Sequence, residues 1–320
     1  MNKIIILHNE IQNNTQDELD VLEQCKLVST ACQELGFEVI TMSVGNDIYQ
    51  DILKVKEQNP DAVFNLVEAA FGKGELLYIV PSVLNALKIP YTGVPLDSLF
   101  ITTGKVLAKK MMRLNNIPTA DFFSIEEINR LQSSKTYIVK PIWEEASVGI
   151  DIDSVFTIHE TKKVEKITHL SPSHYFIEEF IDGREFNVSI LAGHDGPEVL
   201  PPAEMIFSSY FDNKPKIVGY KAKWDEASEE YKQTYRDFGT IDRNDHLKNE
   251  IVSVCRQCWT AFNLHGYVRV DMRIDKNNNI YVLEINGNPC ISPDSGFVAA
   301  IHHAGYSNKI MIERILSDLN

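Results

Sequence analysis

Hydrophobic positions along the first 95 residues switch repeatedly between two periods. Ile4–Leu7 is a short apolar run, and Asp20–Leu35 carries its apolar residues at helical spacing. Phe37–Met42 reads as strand, Ile48–Lys56 as helix, and Asp61–Val67 as a third, strongly apolar strand. Val80–Leu87 is helical with Pro81 in its first turn, and Ile89-Pro90-Tyr91-Thr92-Gly93 follows. This alternation predicts an α/β fold, an open parallel sheet with helices on both faces. Ligands of such sheets sit beyond the carboxyl ends of the strands.

The pattern changes after residue 95. A helix (Gly104–Asn115), Pro118, a strand (Tyr137–Lys140) and a glycine-containing loop precede four β-rich segments: Tyr175–Phe180, Glu185–Leu191, Tyr267–Ile274 and Asn279–Ile285. Between the middle two, Lys221–Asp245 is rich in charge and has almost no aliphatic periodicity. It is either a long exposed loop or lid, or a disordered surface insertion. The expected organisation is an N-terminal α/β domain (1–95), a central α+β subdomain (96–175) and a C-terminal one (176–320). A length of 320 residues accommodates this division.

Composition narrows the partners. The net charge of −14 argues against a duplex-binding protein, because phosphate binding draws on Lys and Arg. It is equally poor for an anionic membrane surface. No run reaches the ~18–20 apolar residues of a spanning helix, and the N-terminal apolar run is too short for a signal peptide. Five cysteines, thinly spread, do not suggest a disulfide framework; Cys255 and Cys258 form a CxxC with no second pair. The expectation is a cytoplasmic protein with no nucleic-acid or membrane partner.

The strongest chemical constellation is Arg269-Val270-Asp271 followed by Glu284-Ile285-Asn286-Gly287-Asn288-Pro289. The turn Asp275–Asn278 makes two strands a hairpin, and alternation puts Arg269 with Asp271, and Glu284 with Asn286, on one face of each strand. Two carboxylates, a carboxamide and a guanidinium suit Mg²⁺ and phosphate oxygens; the alternative is a salt-bridged surface hairpin. Lys140 ends an apolar strand, where a cation needs an anion. The small-residue loop after it could bring backbone N–H groups close to phosphate oxygens, although it is neither a Walker A nor a GxGxxG motif. Tyr175–Phe186, an apolar strand ending in acidic residues, could present carbonyls to an adenine and carboxylates to ribose, or be an ordinary hairpin.

Taken in order, these segments resemble the ATP-grasp superfamily, in its D-alanine–D-alanine ligase-like branch. The resemblance covers nearly the whole chain: Ile89–Gly93, Gly104-Lys105, Val139-Lys140-Pro141, Ser147-Val148-Gly149, Glu178–Phe186, Tyr220–Lys223 and the closing hairpin. It implies an ATP-grasp fold behind an N-terminal parallel-sheet domain. It further implies that Lys105 and Lys140 contact the nucleotide phosphates, with Ser147, Val148 and Gly149 closing over them. Glu178, Phe180 and Ile181 would form the adenine hinge, with Glu185 on the ribose. Lys223 would reach the γ-phosphate as the lid closes. Asp271, Glu284 and Asn286 would hold two Mg²⁺ ions, for which Mn²⁺ could substitute. Arg269 would stabilise the tetrahedral intermediate with backbone N–H groups near Cys290, and Ser295 would hold the second substrate's carboxylate. Members of the family often form homodimers through the first domain.

The implied activity is an ADP-forming ligation of an amino-acid carboxylate to an amine through an acyl phosphate, on small amino-acid-like substrates. The alternatives are a D-alanine–D-alanine ligase and a nucleotide-binding protein without turnover. Departures fall on the first-substrate side. Leu7-His8-Asn9-Glu10-Ile11 replaces a glycine-rich segment, Val67-Glu68-Ala69 replaces a His-Gly, and Ala146 and Trp224 stand where a Ser and a Tyr are usual. Glu10 and Glu68 are therefore candidates to bind an ammonium on the first substrate, or else are polar caps of the sheet.

Overall fold

The computed structural model describes residues 1–12, 15–143, 149–212, 214–241 and 245–319. Strands β1 (Lys3–Asn9), β2 (Glu38–Val44) and β3 (Ala62–Leu66) pair in the order β2-β1-β3, all parallel, with Ile6 opposite Thr41 on one side and Phe64 on the other. Ile4 to Leu7 are fully buried, as a central parallel strand covered on both faces requires. Helix α1 (Gln16–Glu34) packs Val21, Cys25, Val28 and Cys32 against the Ile4/Ile6 face. Helices α2 (Ile48–Glu57) and α3 (Ile79–Ala86) pack Ile52, Val55, Val80 and Leu84 against the Ile5/Leu7 face. The expected two-sided parallel sheet is present.

Helices α4 (Leu96–Thr103) and α5 (Lys105–Leu114) lead into an antiparallel sheet of β4 (Phe122–Ser124), β5 (Tyr137–Pro141), β6 (Val155–Phe156) and β7 (Tyr175–Glu179), with α6 (Thr161–Thr168) between the last two. Its order is β4-β7-β5-β6. A larger antiparallel sheet follows, from β8 (Gly183–Leu191), β9 (Glu198–Val199), β10 (Ala203–Phe207), β11 (Thr234–Asp237), β12 (Tyr267–Asp275) and β13 (Ile280–Asn286). The path runs β11-β10-β8-β12-β13, with β9 also on β8. Alternation makes this sheet two-faced. Phe186, Val188, Val270 and Met272 are buried against Ile251, Cys255 and Cys258 of α9 (Asp245–Ala261), while Glu185, Asn187, Asp271 and Arg273 occupy the other face. Helices α10 (Gly296–His303) and α11 (Asn308–Leu316) close the chain and pack Phe297, Val298, Met311 and Ile312 into the cluster under α1.

One expectation is revised. The stretch 221–245 is neither a bare loop nor an insertion without structure: it contains most of α7 (Tyr220–Trp224), all of α8 (Glu229–Lys232) and the edge strand β11. Local capping by the Ser228 side chain on the Tyr231 N–H, rather than aliphatic periodicity, starts α8. The CxxC cysteines are core residues of α9, and burial pushes the Cys258 thiol up to about 12. All five cysteines are free thiols, and no described helix is long and apolar enough to cross a membrane.

Candidate active site

The centre of the site is the β12–β13 hairpin. Arg269 stands opposite Asn286 and Asp271 opposite Glu284, whereas Met272 stands opposite Val282, so Leu283 is the extra residue of a β-bulge. A bulge shifts the facing of one strand relative to the other. Here it lets the row Arg269/Asn286 and the row Asp271/Glu284 share a face while Val282 still turns into the core. Arg269 grips Asp271 through two parallel hydrogen bonds (Nε–Oδ1 2.7 Å, Nη2–Oδ2 2.8 Å), and Asn187 of β8 donates to the same carboxylate at 2.9 Å. Burial works against the Arg269 cation, but Asp271 more than compensates and holds it charged.

Glu284 lies 3.4 Å from the Lys105 ammonium. Burial pushes its carboxyl up, yet Lys105, Arg269, Lys140 and Lys223 together hold it down at about 2. A group of three or more His, Cys, Asp or Glu side chains placed to hold a metal is absent among the described residues. The available donor set is instead two facing carboxylates with the Asn286 carboxamide, hard oxygens of the kind Mg²⁺ takes alongside water and phosphate. The residues fit that ion.

The nucleotide side is built on a buried charge cluster that includes a residue the motifs did not single out. Glu178 of β7 is fully buried between two lysines: Lys140 of β5 is 2.6 Å away, and Lys109 of α5 contacts its other oxygen. Burial raises the Glu178 carboxyl, but the two ammonium groups bring it below the usual carboxylate range. Lys109 also donates to Thr119, which donates to the Val282 carbonyl, tying the cluster to the β12–β13 hairpin. The signal for Lys109 was present: it follows Lys105 by four residues, on the helix face that buries Ala108 and Met112. Next to this cluster, Arg273 donates to the Ile181 carbonyl (2.9 Å) and to Glu185 (2.7 Å), and stacks over the Phe180 ring at 4.8 Å. Glu178, Phe180, Ile181 and Glu185 are thus brought together, locked by an arginine that sequence reasoning did not name. Gly149 adopts φ +72° beside Pro141; Ser147 and Val148, with Ala146, lie outside the described residues.

The lid side meets the same centre. The Tyr220 N–H donates to the Ile150 carbonyl at 3.1 Å, placing the start of α7 against the end of the phosphate loop. Lys223 lies in the field of Arg269, Asp271 and Glu284, and burial, then the Arg269 charge, pushes its ammonium down. Ser295 caps α10, accepting from the Val298 N–H at 3.2 Å. The Asn286–Asn288 turn rests on Gly93: the Asn288 side chain accepts from the Val94 N–H at 3.1 Å, and a Cβ at Gly93 (φ +102°) would collide with it. The Tyr91-Thr92-Gly93 segment is therefore a seat for the catalytic turn.

On the first-substrate side the structure separates the two candidates. Glu10 lies against Gly45, lining a surface hollow with Thr41, Asp51 and Lys54. Glu68 instead joins a network that no single motif carries. The Gln24 amide donates to Asp20 and to Glu68, each at 3.1 Å, and its oxygen accepts from the Ile291 N–H. The Cys290 thiol donates to Asp20 at 3.1 Å, while burial, then the Asp20 charge, pushes it up to about 12. Asp20 was missed; its position one helical turn before Gln24 became meaningful only when Glu68 and Cys290 arrived from elsewhere in the chain.

With this geometry in place, comparisons with known proteins decide the family. The family profile "D-ala D-ala ligase C-terminus" matches residues 112–317. The chain belongs to the D-alanine–D-alanine ligase family. It is an ATP-dependent, ADP-forming carbon–nitrogen ligase of the ATP-grasp type, a family that uses ATP and Mg²⁺. A D-alanine–D-alanine ligase of Aquifex aeolicus is 27% identical over 300 residues, covering 92% of this chain and 94% of that protein. In fold, the chain is similar to the D-alanine–D-alanine ligase of Bacillus anthracis complexed with ATP (TM-score 0.74, 19% identity, 99% and 97% of the two chains). It is also similar to a D-Ala:D-Ser ligase from Enterococcus faecalis (TM-score 0.72, 16% identity, 99% and 98%).

Proposed function

We propose that this ligase activates the carboxylate of an amino-acid-like donor with ATP and joins it to the amine of a second small molecule. The observation that carries the reading is the pair of facing rows Arg269/Asn286 and Asp271/Glu284, with Lys105 on Glu284. A donor carboxylate oxygen attacks the γ-phosphorus, the bond to the β–γ bridging oxygen breaks, and ADP leaves. The amine then attacks the acyl carbon, the bond to the phosphate oxygen breaks, and phosphate leaves as the nitrogen gives up its proton. Lys105, Lys140 and Lys223 bind the phosphate oxygens, with Ser147, Val148 and Gly149 covering them. Glu178, Phe180, Ile181 and Glu185 hold the nucleoside. Arg269, kept charged by Asp271, faces the oxyanion of the tetrahedral intermediate, where a fixed cation is worth most. Asp271, Glu284 and Asn286 would hold two Mg²⁺ ions, replaceable by Mn²⁺, which would offset the charge on the transferring phosphoryl group. Ser295 anchors the acceptor, and backbone N–H groups near Cys290 assist Arg269. The subdomain division at residues 95 and 175, homodimerisation through the first domain and a cytoplasmic location belong to the same reading.

In this scheme Asp20 and Glu68, brought together on the Gln24 amide, form the donor's ammonium pocket. Glu10, on the far side of β2, is assigned no part in it. The test is ADP and phosphate release from Mg²⁺ and ATP across single and paired D- and L-amino acids, with products weighed by mass spectrometry. ADP-forming turnover giving a condensed product is expected; release of AMP, or no nucleotide turnover with any pair, would sink the reading. The full-length similarity to D-alanine–D-alanine ligases favours a second reading in which D-alanine alone is the substrate. Formation of its dipeptide as the preferred product would establish that Glu68, Ala146 and Trp224 are tolerated substitutions.

A further inference from the structure

Strand β11 contributes a side chain that no motif in the sequence marks. Arg236 pairs with Met205 of β10, which pairs with Glu185 of β8, so it stands on the sheet face of Glu185, Arg273 and Asp271. Its Nη1 donates to the Asp294 carbonyl at 3.2 Å. Its guanidinium lies over Gly296, with Nε 3.8 Å from where a Cβ on that glycine would be. Between these two contacts lies Ser295, whose hydroxyl accepts from Val298 and retains its own O–H to donate.

Arg236 and Lys223 both lie in the field of Arg269. Asp271 engages two N–H groups of Arg269, while no carboxylate among the described residues forms an ion pair with the exposed Arg236. Burial, then the positive charge of Arg269, pushes Arg236 down, and the same two causes act on Lys223. Asp294 acts in the opposite sense on Arg236, and Asp271 and Glu284 on Lys223, but each of them less strongly than Arg269 does, so a ligand carboxylate beside Arg236 is favoured.

We propose that Arg236 is a specificity-determining residue that binds the carboxylate of the acceptor from the lid side, together with the Ser295 hydroxyl. The acceptor is then an amino acid with a free carboxylate, and an amine lacking that group is rejected. A guanidinium offers paired N–H donors matched to a carboxylate, and at an exposed rim it can engage the ligand before the cleft closes. Helices α7 and α8 and strand β11 lie on one continuous stretch of chain, so an acceptor held by Arg236 also steadies the segment that carries Lys223.

The proposal rests on the ligase reading and is tested by a binding measurement that needs no turnover. The full-length enzyme with Mg²⁺ and AMP-PNP is titrated calorimetrically with D- and L-alanine, serine and aspartate, and with their α-carboxamides. The same titrations are made on Arg236→Gln and Arg236→Lys. The wild type is expected to prefer acid over amide by about 10- to 100-fold, the scale of one charge-assisted contact. Arg236→Gln should erase that preference and Arg236→Lys retain part of it, with AMP-PNP affinity unchanged in both. A preference that persists in Arg236→Gln overturns the proposal, as does a wild type that binds acid and amide equally or binds none of the acids. Failure of the ligase reading would appear separately, as absence of ADP in the turnover panel.

Discussion

The Lys109–Glu178–Lys140 cluster and the Asp20–Gln24–Glu68–Cys290 network both gather charge, but they are assembled differently. The first comes from adjoining elements, α5, β5 and β7, and is dry: Lys109 and Glu178 are each about fully buried and mutually neutralised. With Lys140 it sets two ammonium groups on one carboxylate, which leaves one positive charge in excess for a nucleotide phosphate. The second joins α1, the loop after β3 and the segment after β13, through one neutral amide and a thiol. Its two acidic members, Asp20 and Glu68, both accept from the Gln24 amide. In the proposed function the sequence departures at Glu68, Ala146 and Trp224 fall on the donor side, away from the buried lysine–glutamate cluster.

The largest effect expected is at the β12–β13 hairpin. Glu284→Ala should lower kcat by about 10³-fold or more, because it removes the carboxylate proposed to hold metal and its ion pair with Lys105. Retention of most activity in a steady-state assay would place the metal site elsewhere. The carboxyl at about 2, below its ordinary 4.5, gives a pH signature. A depressed carboxyl stabilises the fold above its unfolded value, and the contribution is lost as pH falls from about 4.5 towards 2. Thermal melts of Glu284→Gln should therefore show a shallower decline in Tm across that window than the wild type. Arg269→Met comes next: kcat reduced by about 10²- to 10³-fold, with ATP affinity by calorimetry within twofold. Loss of nucleotide affinity instead would deny Arg269 its role in the intermediate.

Lys109→Met separates structural from catalytic charge. Removing Lys109 leaves Glu178 paired with Lys140 alone and its other buried oxygen without a donor, at a cost of about 1–3 kcal/mol, so denaturant unfolding should show a loss of stability. A stability equal to wild type would mean that Lys140 alone balances Glu178. In the second network, Asp20→Asn should raise KM for the donor amino acid about tenfold, as expected for a lost charged hydrogen bond. KM for ATP should stay unchanged, whereas equal changes in both would dissolve the distinction between the two regions. The smallest effect is at Cys290. With its thiol at about 12 it remains protonated in neutral buffer, and iodoacetamide at pH 8 should label it far more slowly than a free thiol.

How much of this was legible in the sequence follows from chain distance. Val139-Lys140-Pro141, Glu178–Phe186 and the Arg269/Asp271 and Glu284/Asn286 pairs are local patterns on strands, where period two assigns faces. The bulge at Leu283 is not local in the same sense, because it is defined only by the register with β12. Asp20 and Cys290 are 270 residues apart and meet in one hydrogen bond; neither has a neighbour in sequence that hints at the other. Arg236 was hidden for a different reason: β11 is a four-residue edge strand inside a stretch whose composition reads as loop. Arg273 was overlooked because the motif reading stopped at Asp271, although alternation puts Arg273 on the same face.

The most direct test of the central claim follows an oxygen atom. A donor identified in the amino-acid panel is labelled with ¹⁸O in both carboxylate oxygens, and the phosphate released with ADP is analysed by mass spectrometry. The account predicts that each phosphate carries one ¹⁸O taken from the donor, with the other retained in the new amide. Unlabelled phosphate accompanying the same amide product would contradict it, because the carboxylate would then never have been joined to the γ-phosphoryl group.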